Sequence, residues 1–181
     1  TVTKKSLTAN STGEIKYGED SEDAITTVYN GFEFDDTEAN VFPDGVPYYF
    51  VDAGNIEYEL GAIMPVGVYS IMIRDTEVNN YDIESSGQLT VTVATLQVSI
   101  NDLVINKGET INTSLITPII TGYIPGEDIS DVFPQGITYK FINDAGLPYV
   151  QGATGVYNIT IEEPVNYDVN YTRAGKVYVN S

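Results

Sequence analysis

The chain contains 181 residues, of which 8 are basic and 26 acidic, so its formal net charge is −18. So few Lys and Arg side chains exclude a basic surface for nucleic acid, and the charge opposes binding to anionic membranes. The sequence has no Cys, His or Trp, which excludes disulfides, Ser-His-Asp and Cys-His catalytic groups, and zinc sites built from Cys or His. No apolar run approaches the ~20 residues of a membrane helix, so we expect no membrane insertion.

Short strands separated by turns are predicted along the first half of the chain, where β-branched and aromatic residues alternate with polar ones. The predicted strands span residues 7–9, 14–17, 25–29, 48–51, 56–60, 68–73, 81–84 and 88–93. A turn is predicted at 79–80, and one short helical turn follows Gly31 in the acidic segment 35–39. The second half follows the same plan, with its helical turn after Gly122, at 127–132.

The same landmarks occur twice in the same order. Val-Phe-Pro-Asp-Gly at 41–45 returns as Val-Phe-Pro-Gln-Gly at 132–136, and Phe50 returns as Phe141, both 91 residues later. Gly-Val-Tyr at 67–69 returns at 155–157, and Asn-Tyr at 80–81 returns at 166–167. Small changes in offset are what loop-length changes between two copies produce. The sequence therefore predicts an internal repeat of about 90 residues.

The boundary between the two copies is predicted at residue 94. The strand 88–93 closes the first copy and a strand at 96–100 opens the second, which leaves Ala94 and Thr95 as the junction. A two-residue junction without a Gly, Pro or Ser tract is not a flexible linker, so we expect two stiffly joined modules, residues 1–94 and 95–181. The strand pattern predicts an all-β fold made of two tandem small β modules. An immunoglobulin-like sandwich is favoured, and a β-grasp-like module with one short helix is the alternative.

The order of these motifs resembles the MBG repeats, of the Tyr-Gly-x type, found in large bacterial surface proteins. Its signatures are Tyr-Gly-Glu at 17–19 and the series Gly-x-Tyr at 67–69, Asn-Tyr at 80–81 and Gly-x-Leu-Thr-Val at 87–91. The second copy departs from the first signature, since Lys107 stands where Tyr17 stands in the first. The resemblance implies an exported bacterial protein that is extracellular, located at the cell surface and adhesin-like. It implies no enzymatic activity and supplies no functional residues.

Two acidic turns are candidate calcium sites. The carboxylates occupy matching turns of the two copies: Asp35, Asp36 and Glu38 in the first, Glu127, Asp128 and Asp131 in the second. Calcium accepts six to eight oxygen ligands in irregular geometry, which suits such clusters and makes calcium the one cofactor to consider. The alternative is a solvated acidic loop, or acids that cap a short helix.

Tyrosines provide the other candidate site. Strand alternation places Tyr48 and Phe50 on one face and Tyr49 on the other, where an exposed ring can stack on a sugar or a protein partner. Tyr81 and Tyr167, each after Asn, are predicted to anchor a turn through a hydroxyl bonded to the backbone. A glycosidase needs only two carboxylates, but 26 acidic residues produce such pairs by accident, so no enzyme is predicted.

Three functions are compatible with these patterns. The first is a stalk or spacer of an adhesin-like surface protein, in which neighbouring repeats of the same chain are the main partners and a distal region binds. In the second, the modules themselves bind a glycan or an extracellular protein. In the third, they are accessory modules beside a carbohydrate-active enzyme. The opening residues, Thr-Val-Thr-Lys-Lys, suggest a segment taken from a longer polypeptide.

Overall fold

The computed structural model describes residues 3–75 and 80–181. It confirms an all-β fold, and the chain divides into two compact units, residues 1–93 and 94–181. Residue 79 of the turn predicted at 79–80 lies outside the described residues. Each unit contains one short 3₁₀ turn and one α-helix of four residues among its described residues.

The first unit forms one mixed sheet of six strands. The strands are β1 (Lys5–Lys16), β2 (Thr26–Asn30), β3 (Tyr48–Val51), β4 (Glu57–Glu59), β5 (Gly67–Ile73) and β6 (Tyr81–Thr92). Their order in the sheet is β2-β1-β6-β5-β3-β4. The two long strands, β1 and β6, run parallel, and the other neighbouring pairs are antiparallel. A 3₁₀ turn (Glu22–Ala24) precedes β2, and helix α1 (Glu38–Val41) precedes β3.

The core of the first unit follows from strand alternation. Along β5, Tyr69, Ile71 and Ile73 are buried while the residues between them are half-buried or exposed, as the two-residue period of a strand requires. Leu7 of β1, Phe50 of β3 and Leu89 of β6 are 0% exposed. These residues bring the inner faces of four strands into one apolar core.

The second unit has the same kinds of element but two separate sheets. Its strands are β7 (Ala94–Ser99), β8 (Leu103–Asn106), β9 (Ile119–Thr121), β10 (Tyr139–Ile142), β11 (Gly155–Ile161), β12 (Tyr167–Arg173) and β13 (Gly175–Asn180), with a 3₁₀ turn (Thr113–Leu115) and helix α2 (Ile129–Val132). One sheet has the order β10-β11-β13-β8 and the other β12-β7-β9. The pairs β7/β12 and β8/β13 are parallel. Leu96, Val98 and Ile159 are fully buried.

The two units differ because their long strands are interrupted in one and continuous in the other. In the first unit β1 and β6 are each continuous, so a single sheet includes both ends of each strand. In the second unit, residues 100–102 separate β7 from β8, and Ala174 separates β12 from β13. The result is a pair of sheets with the character of a β-sandwich. A finer assignment to the immunoglobulin-like topology stays a prediction.

Three expectations about local structure were wrong. The strands predicted at 81–84 and 88–93 are parts of one strand, β6, which continues through residues 85–87. The strands predicted at 7–9 and 14–17 are parts of one strand, because β1 pairs with β6 in unbroken register from Lys5 opposite Tyr81 to Lys16 opposite Thr92. Ala94 and Thr95 do not form a junction, because both belong to β7, and the Ala94 N–H donates to the Asn166 carbonyl at 3.0 Å. Val93 alone separates β6 from β7.

Candidate functional site

The hydroxyls of Tyr81 and Tyr167 make the same connection in the two units. Tyr81 accepts a hydrogen bond from the Glu33 N–H (2.9 Å) and donates one to the Asp36 carboxylate (2.7 Å). Tyr167 accepts from the Ile124 N–H (3.0 Å) and donates to the Glu127 carboxylate (2.6 Å). Both rings are buried. The predicted role of these tyrosines as turn anchors is confirmed, and each hydroxyl also holds a carboxylate.

The remaining acids of the second turn cap helix α2. The Asp128 carboxylate accepts hydrogen bonds from the N–H and the hydroxyl of Ser130, and the Asp131 carboxylate accepts one from the Asp128 N–H at 2.9 Å. This reciprocal arrangement is a capping box. The hydrogen bonds from Ser130 lower the pKa of Asp128 below its usual value, since donors favour the charged carboxylate.

The acidic turns do not assemble a set of metal ligands. Within residues 3–75 and 80–181, no group of three or more acidic side chains is placed to hold a metal ion. Asp35 is exposed, Asp36 is held by Tyr81, and Glu38 lines a cavity. In the second unit Glu127 is held by Tyr167, and Asp128 and Asp131 cap a helix. Asp36, Glu127, Asp128 and Asp131 thus have anchoring or capping roles, and calcium binding at these turns stays a prediction.

Tyr49 is half-buried and its ring is already in contact with a cation. The Arg74 guanidinium lies 4.2 Å from the centroid of the Tyr49 ring, a cation–π contact. Arg74 is fixed in turn by ion pairs with Glu57 and Glu59 on the edge strand β4. One face of the Tyr49 ring is thus covered, so the geometry adds nothing in favour of a sugar-stacking role.

A second pair of acids, which the sequence pattern identified only as part of a signature, closes tight turns. The Glu19 carboxylate accepts a hydrogen bond from the Lys16 N–H (2.8 Å), and the Glu109 carboxylate accepts one from the Asn106 N–H (2.6 Å). The backbone closes the same turns, from the Glu19 N–H to Lys16 and from the Glu109 N–H to Asn106, both at 3.0 Å. The Gly-Glu part of the signature therefore stabilises the tight turn that follows β1 and the matching turn that follows β8.

The most extensive feature is the parallel pairing between the N-terminal and C-terminal strands of each unit, β1 with β6 in the first, and β7 with β12 and β8 with β13 in the second. In the first unit the register of β1 and β6 runs for twelve residues of each strand. It is extended at its ends by hydrogen bonds from the Lys5 N–H to Asn80 (2.9 Å) and from the Tyr17 N–H to Thr92 (2.8 Å). We call this pairing the terminal-strand clamp. Sequence reasoning missed it, because alternation identifies strands without identifying their partners.

The second unit has the same clamp in two parts. β7 pairs with β12 from Ala94 opposite Tyr167, and β8 pairs with β13 from Leu103 opposite Val177 to Asn106 opposite Asn180. The Lys107 N–H extends the pairing by donating to the Asn180 carbonyl at 2.8 Å. Between the two parts, the Arg173 guanidinium contacts the Asp102 carboxylate at 3.1 Å. Both clamps join the point where the chain enters a unit to the strand by which it leaves.

Comparisons with known proteins provide no family for this chain. No family model matches the sequence, and no curated protein matches it. Among solved structures, the chain is similar at 11% sequence identity to one described as the Bacillus anthracis TIE protein, over 95% of this chain and 34% of that one, with a TM-score of 0.14. The chain thus spans about a third of that protein, and a TM-score this low supports no argument about fold or function. Among the described residues, no helix has the length and apolar character needed to span a membrane.

Proposed function

We propose that this chain is a non-catalytic, tension-resisting spacer segment of a bacterial adhesin-like protein at the cell surface, where its units hold a distal binding region away from the cell. The observation on which the proposal rests is the terminal-strand clamp of each unit. The resemblance of the motif order to repeats of bacterial surface proteins supplies the extracellular setting. The tyrosines and acids common to both units serve turns and caps, as a structural module requires.

The clamp suits tension for a geometric reason. The chain enters the first unit at the Lys5 end of β1 and leaves it at the Thr92 end of β6. Since Lys5 lies opposite Tyr81 and Lys16 opposite Thr92, the entry and exit points are at opposite ends of a parallel pair. Tension between them pulls the two strands along their axes in opposite directions. The force is then shared by all the hydrogen bonds between the two strands. When a strand is instead peeled away from one end, its hydrogen bonds break one after another.

Single-molecule force spectroscopy tests this proposal. Pulling the whole chain by its two ends loads the clamps in shear, and we expect a high unfolding force for each unit. The matched control pulls the same protein from its N-terminus and from a cysteine introduced by Asn30→Cys, which is unique because the chain has none of its own. Asn30 ends β2 opposite Thr8, so this geometry peels β2 from β1 pair by pair.

The two pulling directions should differ clearly. We expect rupture at markedly lower force for the peeling direction than for end-to-end pulling. Equal forces in the two directions would show that the terminal strands resist no load, and the spacer proposal would then be wrong.

A further inference from the structure

A cavity of about 630 Å³ opens on the first unit and belongs neither to the clamp nor to the acidic-turn anchors. It lies between the start of β2, the segment 38–48 that contains α1, and Leu60 after β4. Its volume is within the range of sites that bind drug-sized molecules or short peptide segments.

Apolar side chains form about half of the cavity wall. Val41, Phe42 and Val46 come from the segment around α1, while Ile25 and Leu60 come from the neighbouring strands and turns. Phe42 is 5% exposed and packs in the core with Ala9 and Ile73, so this wall is fixed by the fold. The hydroxyls of Thr27 and Tyr48 are hydrogen-bonded to each other. A ligand in the cavity therefore contacts apolar side chains, and the Thr27 and Tyr48 hydroxyls beside them are already hydrogen-bonded to each other.

Three carboxylates add negative charge from three different segments. Glu22 belongs to the 3₁₀ turn, Glu38 is the first residue of α1, and Asp44 lies in the loop after α1. All three are exposed and none forms an ion pair with a described residue. No Lys or Arg is among the described residues that line the cavity.

These acids are specific to the first unit. The positions 91 residues later retain the apolar series Val132, Phe133 and Pro134, which correspond to Val41, Phe42 and Pro43. The three carboxylates have no counterpart there, since Thr113, Ile129 and Gln135 stand at the positions of Glu22, Glu38 and Asp44. Packing therefore explains the shared apolar residues but does not require the acids.

We propose that this cavity binds a short basic segment of a partner protein, in which an apolar side chain is flanked by Lys or Arg. The apolar part of the wall takes the apolar side chain, and the three carboxylates, none of which is in an ion pair with a described residue, attract positive charge on either side of it. A peptide is favoured over a single cation because the volume exceeds one side chain and the carboxylates come from separate segments. This binding site is independent of the spacer role, since the clamp strands contribute no residue to it.

Titration of the whole chain with a blocked Lys-Leu-Lys peptide tests the proposal, monitored by NMR of the methyl groups of Ile25, Val46 and Leu60. We expect these methyl signals to shift and saturate in the millimolar range or tighter. Blocked Glu-Leu-Glu and Lys-Gly-Lys peptides should shift them at least about tenfold more weakly, because the first has the wrong charge and the second lacks the apolar group.

Two charge-matched variants separate this site from general attraction to an acidic protein. The triple variant Glu22→Gln, Glu38→Gln and Asp44→Asn should weaken binding of Lys-Leu-Lys about tenfold. The control Glu14→Gln, Asp82→Asn and Glu84→Gln removes the same charge from exposed positions on β1 and β6 and should leave the affinity unchanged. The thermal unfolding midpoint of each variant confirms that it folds.

Three results would overturn the proposal. The first is the absence of methyl shifts with Lys-Leu-Lys, and the second is an equal loss of affinity in both triple variants. The third is equally tight binding of the small diamine cadaverine, which would indicate a site for free amines rather than for a peptide. None of these results bears on the force measurement, so the two proposals fail separately.

Discussion

The hydroxyl groups of Tyr81 and Tyr167 show how one atom can fix an irregular segment against a strand. Each hydroxyl accepts a hydrogen bond from a backbone N–H and donates one to a carboxylate, and each belongs to a buried tyrosine ring. We expect Tyr81→Phe to lower the free energy of unfolding of the first unit by about 2 kcal/mol, because it leaves the Glu33 N–H and the Asp36 carboxylate without this partner. Hydrogen exchange of core amides such as that of Leu7 measures the change.

Tyr29→Phe is the matched control for that variant. The Tyr29 hydroxyl is buried and makes no hydrogen bond of good geometry with a described residue. Burial, together with the nearby Tyr48 hydroxyl and Glu38 carboxylate, raises its pKa. Removing it should leave the stability of the first unit unchanged or raise it, since an unsatisfied buried hydroxyl costs about 1–3 kcal/mol. If Tyr29→Phe and Tyr81→Phe destabilised the unit equally, loss of packing rather than loss of the anchor would explain both.

Sequence patterns predicted the tyrosine anchors but not their carboxylate partners. The Asn-Tyr motif identifies a residue at the start of a strand, whereas Asp36 lies 45 residues from Tyr81 along the chain. The same limit explains why acids at 35–38 suggested calcium. Composition shows that carboxylates are close in sequence, but only the fold shows that the Tyr81 hydroxyl bonds to Asp36 and that, in the second unit, backbone N–H groups bond to Asp128 and Asp131.

At the scale of elements, the close pairing of β6 with β1 depends on a glycine. Gly87 has a φ of +112°, and a Cβ placed on it would lie 1.8 Å from the Ser11 carbonyl oxygen of β1. We expect Gly87→Ala to destabilise the first unit by about 3 kcal/mol, because the neighbour is backbone and the two strands must separate to relieve the overlap. Hydrogen exchange of the amides of the first unit, measured at increasing urea concentrations for the variant and the unchanged protein, gives this difference in stability.

Gly67→Ala is a control in the neighbouring strand β5. The nearest atom to a Cβ at Gly67 would be in the Tyr69 ring at 3.6 Å, an ordinary contact. Its effect should be within about 1 kcal/mol. A similarly small effect at Gly87 would mean that the paired strands accommodate a side chain at this position, contrary to the close contact between them.

Element type was predictable along this chain, while element continuity and pairing were not. Alternation identified β5 closely, since its strand was predicted at 68–73 and spans Gly67–Ile73. It divided β1 in two, because Ser11, Thr12 and Gly13 have the composition of a turn. Pairing with residues 87–89 of β6 holds them extended, and a partner so distant in sequence leaves no local signal.

At the scale of the whole molecule, the charge is unevenly divided. Residues 1–93 contain 17 acidic and 4 basic side chains, and residues 94–181 contain 9 and 4, which gives net charges of −13 and −5. The five ion pairs among the described residues are all exposed or partly exposed, where such pairs contribute little stability. Repulsion among like charges therefore opposes folding more strongly in the first unit than in the second.

Salt should accordingly stabilise the first unit more than the second. Raising the ionic strength from about 0.01 M to about 0.15 M shortens the Debye length from about 30 Å to about 8 Å and screens the repulsion. We expect slower hydrogen exchange at the amides of Leu7 and Ile71, with a smaller change at those of Leu96 and Ile159, all four of which are fully buried. Equal slowing in both units would mean that salt acts through a general effect on hydration, while faster exchange in the first unit would show that its surface ion pairs outweigh the repulsion among its acids.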